Sequence, residues 1–230
     1  MKLIKPMYGL CDAPRAWYEE ATTRIHNMGK GSIVQHPLDA CLFLAFDRQV
    51  HPPPPEGAEA PRLIALFGMH ADDIFGCYYE NDEHTTVLLL NLKGIFNFRE
   101  WITSNDKEEL AYCGAQITKV GQDHWKIHHE KYLNKQKPIT YPKERHGSND
   151  EVTDREKTSL RGLIGALQWP ATQTSPHLQC MVSTLVGQVS KATTSILDAA
   201  NKCLKFAKQN NDVGLEFRHL GPKEEITFIA

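Results

Sequence analysis

The stretch from Leu63 to Tyr79, LIALFGMHADDIFGCYY, constrains this chain more than any other. Two apolar, β-prone runs flank a short polar knot, His70-Ala71-Asp72-Asp73. That pattern predicts two antiparallel strands joined by a tight turn, with Asp72 in the turn. Adjacent carboxylates repel each other and are costly to desolvate between buried strands, so the pattern calls for a cation nearby. Mg²⁺ takes one or two carboxylates plus substrate phosphates, which makes it the natural candidate and Asp72 and Asp73 its ligands. The plainer alternative is an acidic hairpin turn with no ligand, because Asp is a favoured turn residue.

The chain has 230 residues, enough for one large domain or two small ones with a real core. Its 26 Lys and Arg nearly balance 28 Asp and Glu, for a net charge of -2. This excludes nucleic-acid binding by overwhelming positive charge and leaves room for a local basic face. Six cysteines are scattered with no CxxC pair, which argues against a zinc ribbon and for a reducing compartment. Cys41, Cys77 and Cys113 lie in apolar runs, where a thiol is predicted to pack as a small hydrophobe. Neither a signal peptide nor a bilayer-spanning run is visible, so the expected location is intracellular, with no membrane partner.

Along the chain, Asp12-Ala13-Pro14 reads as the start of a helix through Trp17, Ala21, Ile25 and Met28, stopped at Gly29 or Gly31. Cys41 to Phe46 reads as a buried strand, and the proline-rich stretch up to Pro61 as a loop. After the hairpin, Asn81-Asp82 caps a helix through Leu88, Leu92 and Ile95. Phe98 to Ile102 reads as a strand; Leu110 to Val120 and His124 to His128 read as a second hairpin around Gly121-Gln122-Asp123. Three helices follow: one from a capping signal at Thr153 to Pro170, one from Ser175-Pro176, and one from Thr194-Ser195. Gly214 to Phe217 and Ile226 to Ile229 read as short strands, the latter as an unpaired edge. Segregated elements of this kind predict an α+β fold with a helical second unit.

Lys5 to Tyr18, KPMYGLCDAPRAWY, and His70 to Asp73 resemble two signatures of the copia-type retrotransposon reverse transcriptases: Tyr-Gly-Leu-x-x-Ala-Pro-Arg-x-Trp and Tyr-x-Asp-Asp. The resemblance continues through Leu110 to Gly114, His129 to Tyr132, Leu160 to Leu167 and Thr174 to Leu178, in the family's order over nearly the whole chain. It implies an antiparallel polymerase palm with helices over residues 1–130, a helical thumb over 131–212, and connection strands over 213–230 leading to a ribonuclease H domain. The function implied is RNA-directed DNA polymerase within a Pol polyprotein. Asp72 and Asp73 would be catalytic and hold Mg²⁺ in a two-metal site. Tyr8, Gly9 and Pro14 would bind the nucleotide; His70, Tyr112 and Gly114 would contact the primer. Lys126, Lys131 and Lys135 would follow the nucleic-acid backbone, in a basic run that also holds Lys137, Lys143 and Arg145, with Trp125, Tyr132 and Tyr141 interleaved. The partners implied are an RNA or DNA template-primer, dNTP and the rest of Pol, in the cytoplasm (a virus-like particle in the family) or the nucleus.

The sequence departs from the family at several points. His70 stands where the family usually has Tyr, and Cys11 and Asp12 where it usually has Lys and Gln. The family's first catalytic Asp lies on a strand upstream of the segment matched at Lys5. Asp39 and Asp47 are the available carboxylates, but neither lies in a matching context. The expectation is therefore a palm-plus-thumb portion that is inactive alone. Two rivals are a non-catalytic nucleic-acid-binding remnant and a metal-dependent phosphohydrolase using Asp72 and Asp73. His124, His128, His129 and Cys113 lie close together, but their spacing fits no zinc pattern and reads as a polar hairpin face. Met69 and Met181 read as core filler, and Ser183 and Ser190 have no paired base.

Overall fold

The computed structural model describes residues 11–53, 55, 57–121, 124–146 and 148–218. The expected strand Ile226 to Ile229 and the residues Tyr8 and Gly9 lie outside them. The fold is mixed α and β, with two antiparallel four-stranded sheets. Its contacts form two compact units, Met1–Trp101 and Ile102–Ala230.

The first unit runs α1 (Ala13–Gly29), β1 (Ile33–Gln35), β2 (Leu42–Phe46), β3 (Leu63–His70), β4 (Asp73–Tyr78) and α2 (Glu83–Ile95). The strands lie in the order β1-β2-β3-β4, each antiparallel to its neighbour. Alternation along the strands sends Phe43, Ala45, Phe67 and Met69 into one core with Ala21 and Ile25 of α1 and Leu88 and Leu92 of α2. Phe43 and Phe67, cross-strand partners, stack at 5.4 Å. Asp82 caps α2, its Oδ1 accepting the Thr85 N–H at 3.0 Å. At the end of α1, Lys30 takes a left-handed conformation with φ 44°.

Two features of this unit depart from the sequence pattern. The short edge strand β1 carries too few residues to show a period. Phe98 to Ile102 forms no strand. Its aromatic rings are used in packing instead: Phe98 meets Trp101 edge to face at 5.2 Å, and Lys93 sits over Trp101 at 4.4 Å.

The second unit runs β5 (Glu109–Tyr112), β6 (Ala115–Gly121), β7 (His124–His128), α3 (Glu130–Lys135), α4 (Asp154–Gln173), α5 (Gln179–Gln188), α6 (Thr194–Gln209) and β8 (Leu215–Arg218). The run from Leu110 to Val120 is not one strand. Cys113 (φ 50°) and Gly114 (φ 79°) turn the chain back on itself, and Tyr112 pairs with Ala115. Two successive positive φ values are the mark of a type I′ hairpin turn. The strand at 215–218 forms as expected and pairs with β7.

Leu160, Leu163, Ile164 and Leu167 of α4 pack with Leu178, Val182 and Leu185 and with Leu197, Ala200 and Leu204 around one core. The capping box at Thr153 is complete, with Thr153 Oγ1 accepting the Glu156 N–H and the Glu156 carboxylate accepting the Thr153 N–H. Pro170 does not end α4, which continues to Gln173. Its ring is fully buried, and its carbonyl accepts from Thr174 N and Ser175 N at 2.9 and 2.8 Å. Packing and those two bonds offset the N–H that proline lacks.

The contact units divide after Trp101, whereas the palm that the family resemblance implies runs to residue 130. The second hairpin belongs with the helices because the backbone N–H of Lys131, in α3, donates to Gln116 Oε1 of β6, and β8 returns to β7 after α6. Cys41 and Cys77 are exposed and Cys113 half-buried; the buried thiol is Cys203, in the helical core. An edge strand and a strand end leave Cys77 and Cys41 uncovered, which their apolar neighbours do not reveal. Met69 is buried, and Met181 packs against the helical core. No helix among the described residues is long and apolar enough to cross a membrane.

Candidate functional site

Pairing of His70 with Asp73 leaves Ala71 and Asp72 as a two-residue turn between β3 and β4. Ala71 carries φ 51° and Asp72 has no positive φ, the combination of a type II′ turn. The turn is held from outside the hairpin: Trp17 Nε1 in α1 donates to the Ala71 carbonyl at 2.6 Å. Pro14 lies one helical turn before Trp17, in the first turn of α1. The same end of the sheet is tied by Tyr18, whose hydroxyl donates to Ala40 O at 3.0 Å.

Asp72 and Asp73 are both exposed, as is His70 at the end of β3. The cation expected from burying two carboxylates is therefore not required, because water solvates the pair. Asp39 lies at this end of the sheet, bonded through Oδ1 to Cys41 N at 2.8 Å, while Cys41 O accepts from Met69 N. Asp47 lies at the other end of β3, accepting the Arg62 N–H at 3.0 Å. Arg48 donates to it and holds its carboxyl below the usual range. Among the described residues, no three His, Cys, Asp or Glu side chains gather where they could hold a metal ion. Asp72 and Asp73 offer two carboxylates at one turn, and a two-ion centre needs more.

The other candidate residues belong to the second unit. Tyr112 ends β5, and Gly114 completes the following turn, where a Cβ would lie 3.8 Å from Trp169 Nε1. Lys126 is half-buried on β7, and Lys135 is exposed at the end of α3. Lys131 is paired with Glu109, whose carboxyl the ammonium holds below its ordinary range. Lys119 sits over the Trp125 ring at 5.9 Å, and Tyr132 lies edge to face with His129 at 6.0 Å. Charge is divided unevenly between the units. Residues 1–101 hold nine Lys and Arg against thirteen Asp and Glu, and residues 102–230 hold seventeen against fifteen. Attraction for a phosphate chain therefore favours the second unit.

His128 and His129 are not on a polar face. They are 7% and 1% exposed, with His128 Nε2 3.0 Å from Thr118 Oγ1 and His129 Nδ1 2.8 Å from Thr174 Oγ1. The other ring nitrogens, His128 Nδ1 and His129 Nε2, are buried without a hydrogen-bond partner. Burial holds both imidazoles below their ordinary pKa. Consecutive histidines in a polar stretch read as surface; the packing of Trp169 and Thr174 against His129, and of Thr118 against His128, reverses that. Comparison with family models, with curated proteins and with solved structures yields no match to any of them.

Proposed function

We propose that this chain is a palm-and-thumb portion of a copia-type RNA-directed DNA polymerase. The single observation that carries the reading is the hydrogen bond from Trp17 to Ala71. Trp17 belongs to one segment that resembles a family signature and Ala71 to another. The two segments meet at the hairpin tip, through residues 54 positions apart in the chain. In this reading the sheet backed by α1 and α2 is the palm, Asp72 and Asp73 are the catalytic pair that would bind Mg²⁺, and α4 to α6 form the thumb. His70 and the turn at Tyr112 to Gly114 would lie along the primer.

The chain alone is expected not to polymerise, because phosphoryl transfer depends on metal positioning and two turn carboxylates do not build a two-ion centre. The test is primer extension on an RNA template, by the 230-residue chain and by a longer chain carrying an upstream palm strand. Extension by the longer chain alone, lost in Asp72→Asn, is the expected result. Extension by the 230-residue chain would overturn the need for an upstream strand. Silence from both would overturn the catalytic reading.

A second reading, a nucleic-acid-binding remnant without catalysis, is favoured by the exposure of Asp72 and Asp73 and the lack of a third ligand among the described residues. Template-primer binding without extension by either chain supports it.

A further inference from the structure

In the second unit, the segment Gln136 to Pro142 and the first turns of α4 enclose an open groove of about 640 Å³. Its wall on the helix side carries Arg155, Ser159 and Gly162, and the facing segment carries Lys137, Thr140 and Tyr141. The one carboxylate that lines it, Glu156, is already satisfied. It accepts from Arg145 Nη1 at 2.7 Å and from the Thr153 N–H at 2.8 Å, and these bonds hold its carboxyl below the ordinary range. Tyr141 donates its hydroxyl to Asp198, and burial with that bond pushes its phenol up to about 12, so it stays neutral. Gly162 presents no side chain, and a Cβ there would meet open space.

Lys137 and Arg155 are the two cations that line the groove, and they differ from the paired cations nearby. Lys131 is held by Glu109, and Arg145 by Glu156 and Asp150. Among the described residues, neither Lys137 nor Arg155 has an ion-pair partner, and both are exposed. Two uncommitted cations on facing walls of one groove, with its carboxylate neutralised, form a cradle for an anion. A guanidinium presents a planar fork and an ammonium a point charge, and the pair suits the tetrahedral oxygens of a phosphate.

We propose that this groove is a phosphate subsite, and that Lys137 and Arg155 there grip a phosphodiester of a nucleic-acid strand. The phosphate chemistry stands on the groove alone; the nucleic-acid carrier rests on the polymerase reading. The groove takes Lys137 from the basic run read in the sequence and adds Arg155, which lies outside that run.

The test measures binding of a fluorescein-labelled single-stranded oligonucleotide to the full chain, by anisotropy across a salt series. Each contacted phosphate contributes roughly 0.7 to the slope of log affinity against log salt for a single strand. Lys137→Gln with Arg155→Gln releases that one phosphodiester and is therefore expected to lower the slope by about 0.7 and to weaken binding by about tenfold or more at low salt. The charge-matched double variant Lys202→Gln with Lys205→Gln, on α6, should leave both within about twofold of the parent, apart from the general charge effect. Equal losses in the two variants would overturn the subsite, as would unchanged binding in the first. Thermal melting of both variants separates loss of fold from loss of contact.

Inorganic phosphate alone, followed by NMR at the amides of Ser159 and Gly162, tests the carrier. Shifts in the parent that vanish in Lys137→Gln/Arg155→Gln, with no selective loss of oligonucleotide binding, would overturn the nucleic-acid carrier and leave free phosphate as the ligand. Selective oligonucleotide loss without primer extension by any chain would keep the subsite and sink the polymerase reading.

Discussion

Trp17 Nε1 donates to the carbonyl oxygen of Ala71, a residue 54 positions along the chain, at 2.6 Å. This bond ties the helix before the sheet to the tip of the acidic hairpin, and the Trp17 ring meanwhile packs against Phe96 at 6.0 Å. Trp17 is 40% exposed, so water competes for the donor. Trp17→Phe keeps the ring and removes the N–H. It is expected to cost about 0.5–1.5 kcal/mol, the range for a net hydrogen bond. Amide exchange over His70 to Asp73 should quicken in the variant; unchanged exchange there would show that the bond does not hold the turn.

Ala71 lies at φ 51°, where a Cβ is crowded. A left-handed backbone costs an ordinary L-residue about 1–2 kcal/mol, and glycine avoids that cost but loses more entropy on folding. Ala71→Gly should therefore raise stability by about 0.5–1 kcal/mol. A urea midpoint lower than the parent's would contradict the turn geometry.

The buried pair His128 and His129 makes the second unit sensitive to acid. Burial lowers both imidazole pKa values from the ordinary 6.5. For His128, Glu130 and Glu109 oppose the shift, and Lys126 and Lys131 add to it. For His129 the neighbouring charge is His128 itself. The unfolded chain thus takes up protons before the folded one. Stability is full above 6.5 and falls as the pH drops through the ordinary value toward the lowered ones. The urea midpoint should decline over that window. In an NMR titration these two rings should protonate at lower pH than the exposed histidines, and titration alongside them would refute their burial.

The thiols should react in two classes. Cys11, Cys41, Cys77 and Cys180 are exposed, whereas Cys203 lies in the helical core with its pKa raised by burial. A colorimetric thiol reagent should modify those four quickly in the native chain. Cys203 should react only on unfolding, and mass spectrometry of the labelled peptides reads the order. Early labelling of Cys203 would mean that the packing of α4, α5 and α6 opens readily.

The local signals in the sequence were sufficient for the elements they act on. Two apolar runs around His70-Ala71-Asp72-Asp73 determine the β3–β4 hairpin, because side-chain alternation and turn chemistry are short-range. Thr153 with Glu156 likewise determines the start of α4, since both partners of the capping box lie within one turn. The break at Cys113-Gly114 was open to the same reasoning, yet its apolar flanks disguise it as one strand.

Other features were decided by partners far along the chain. Phe98 and Trp101 meet edge to face instead of joining a sheet, and Pro170 stays inside a helix because the core buries its ring. His128 and His129 sink beside Thr118 and Thr174, respectively ten and 45 residues away. The exposure of Asp72 and Asp73 was also a tertiary outcome. A pair of carboxylates demands a cation only where packing removes water, and the packing of this hairpin leaves its tip in solvent.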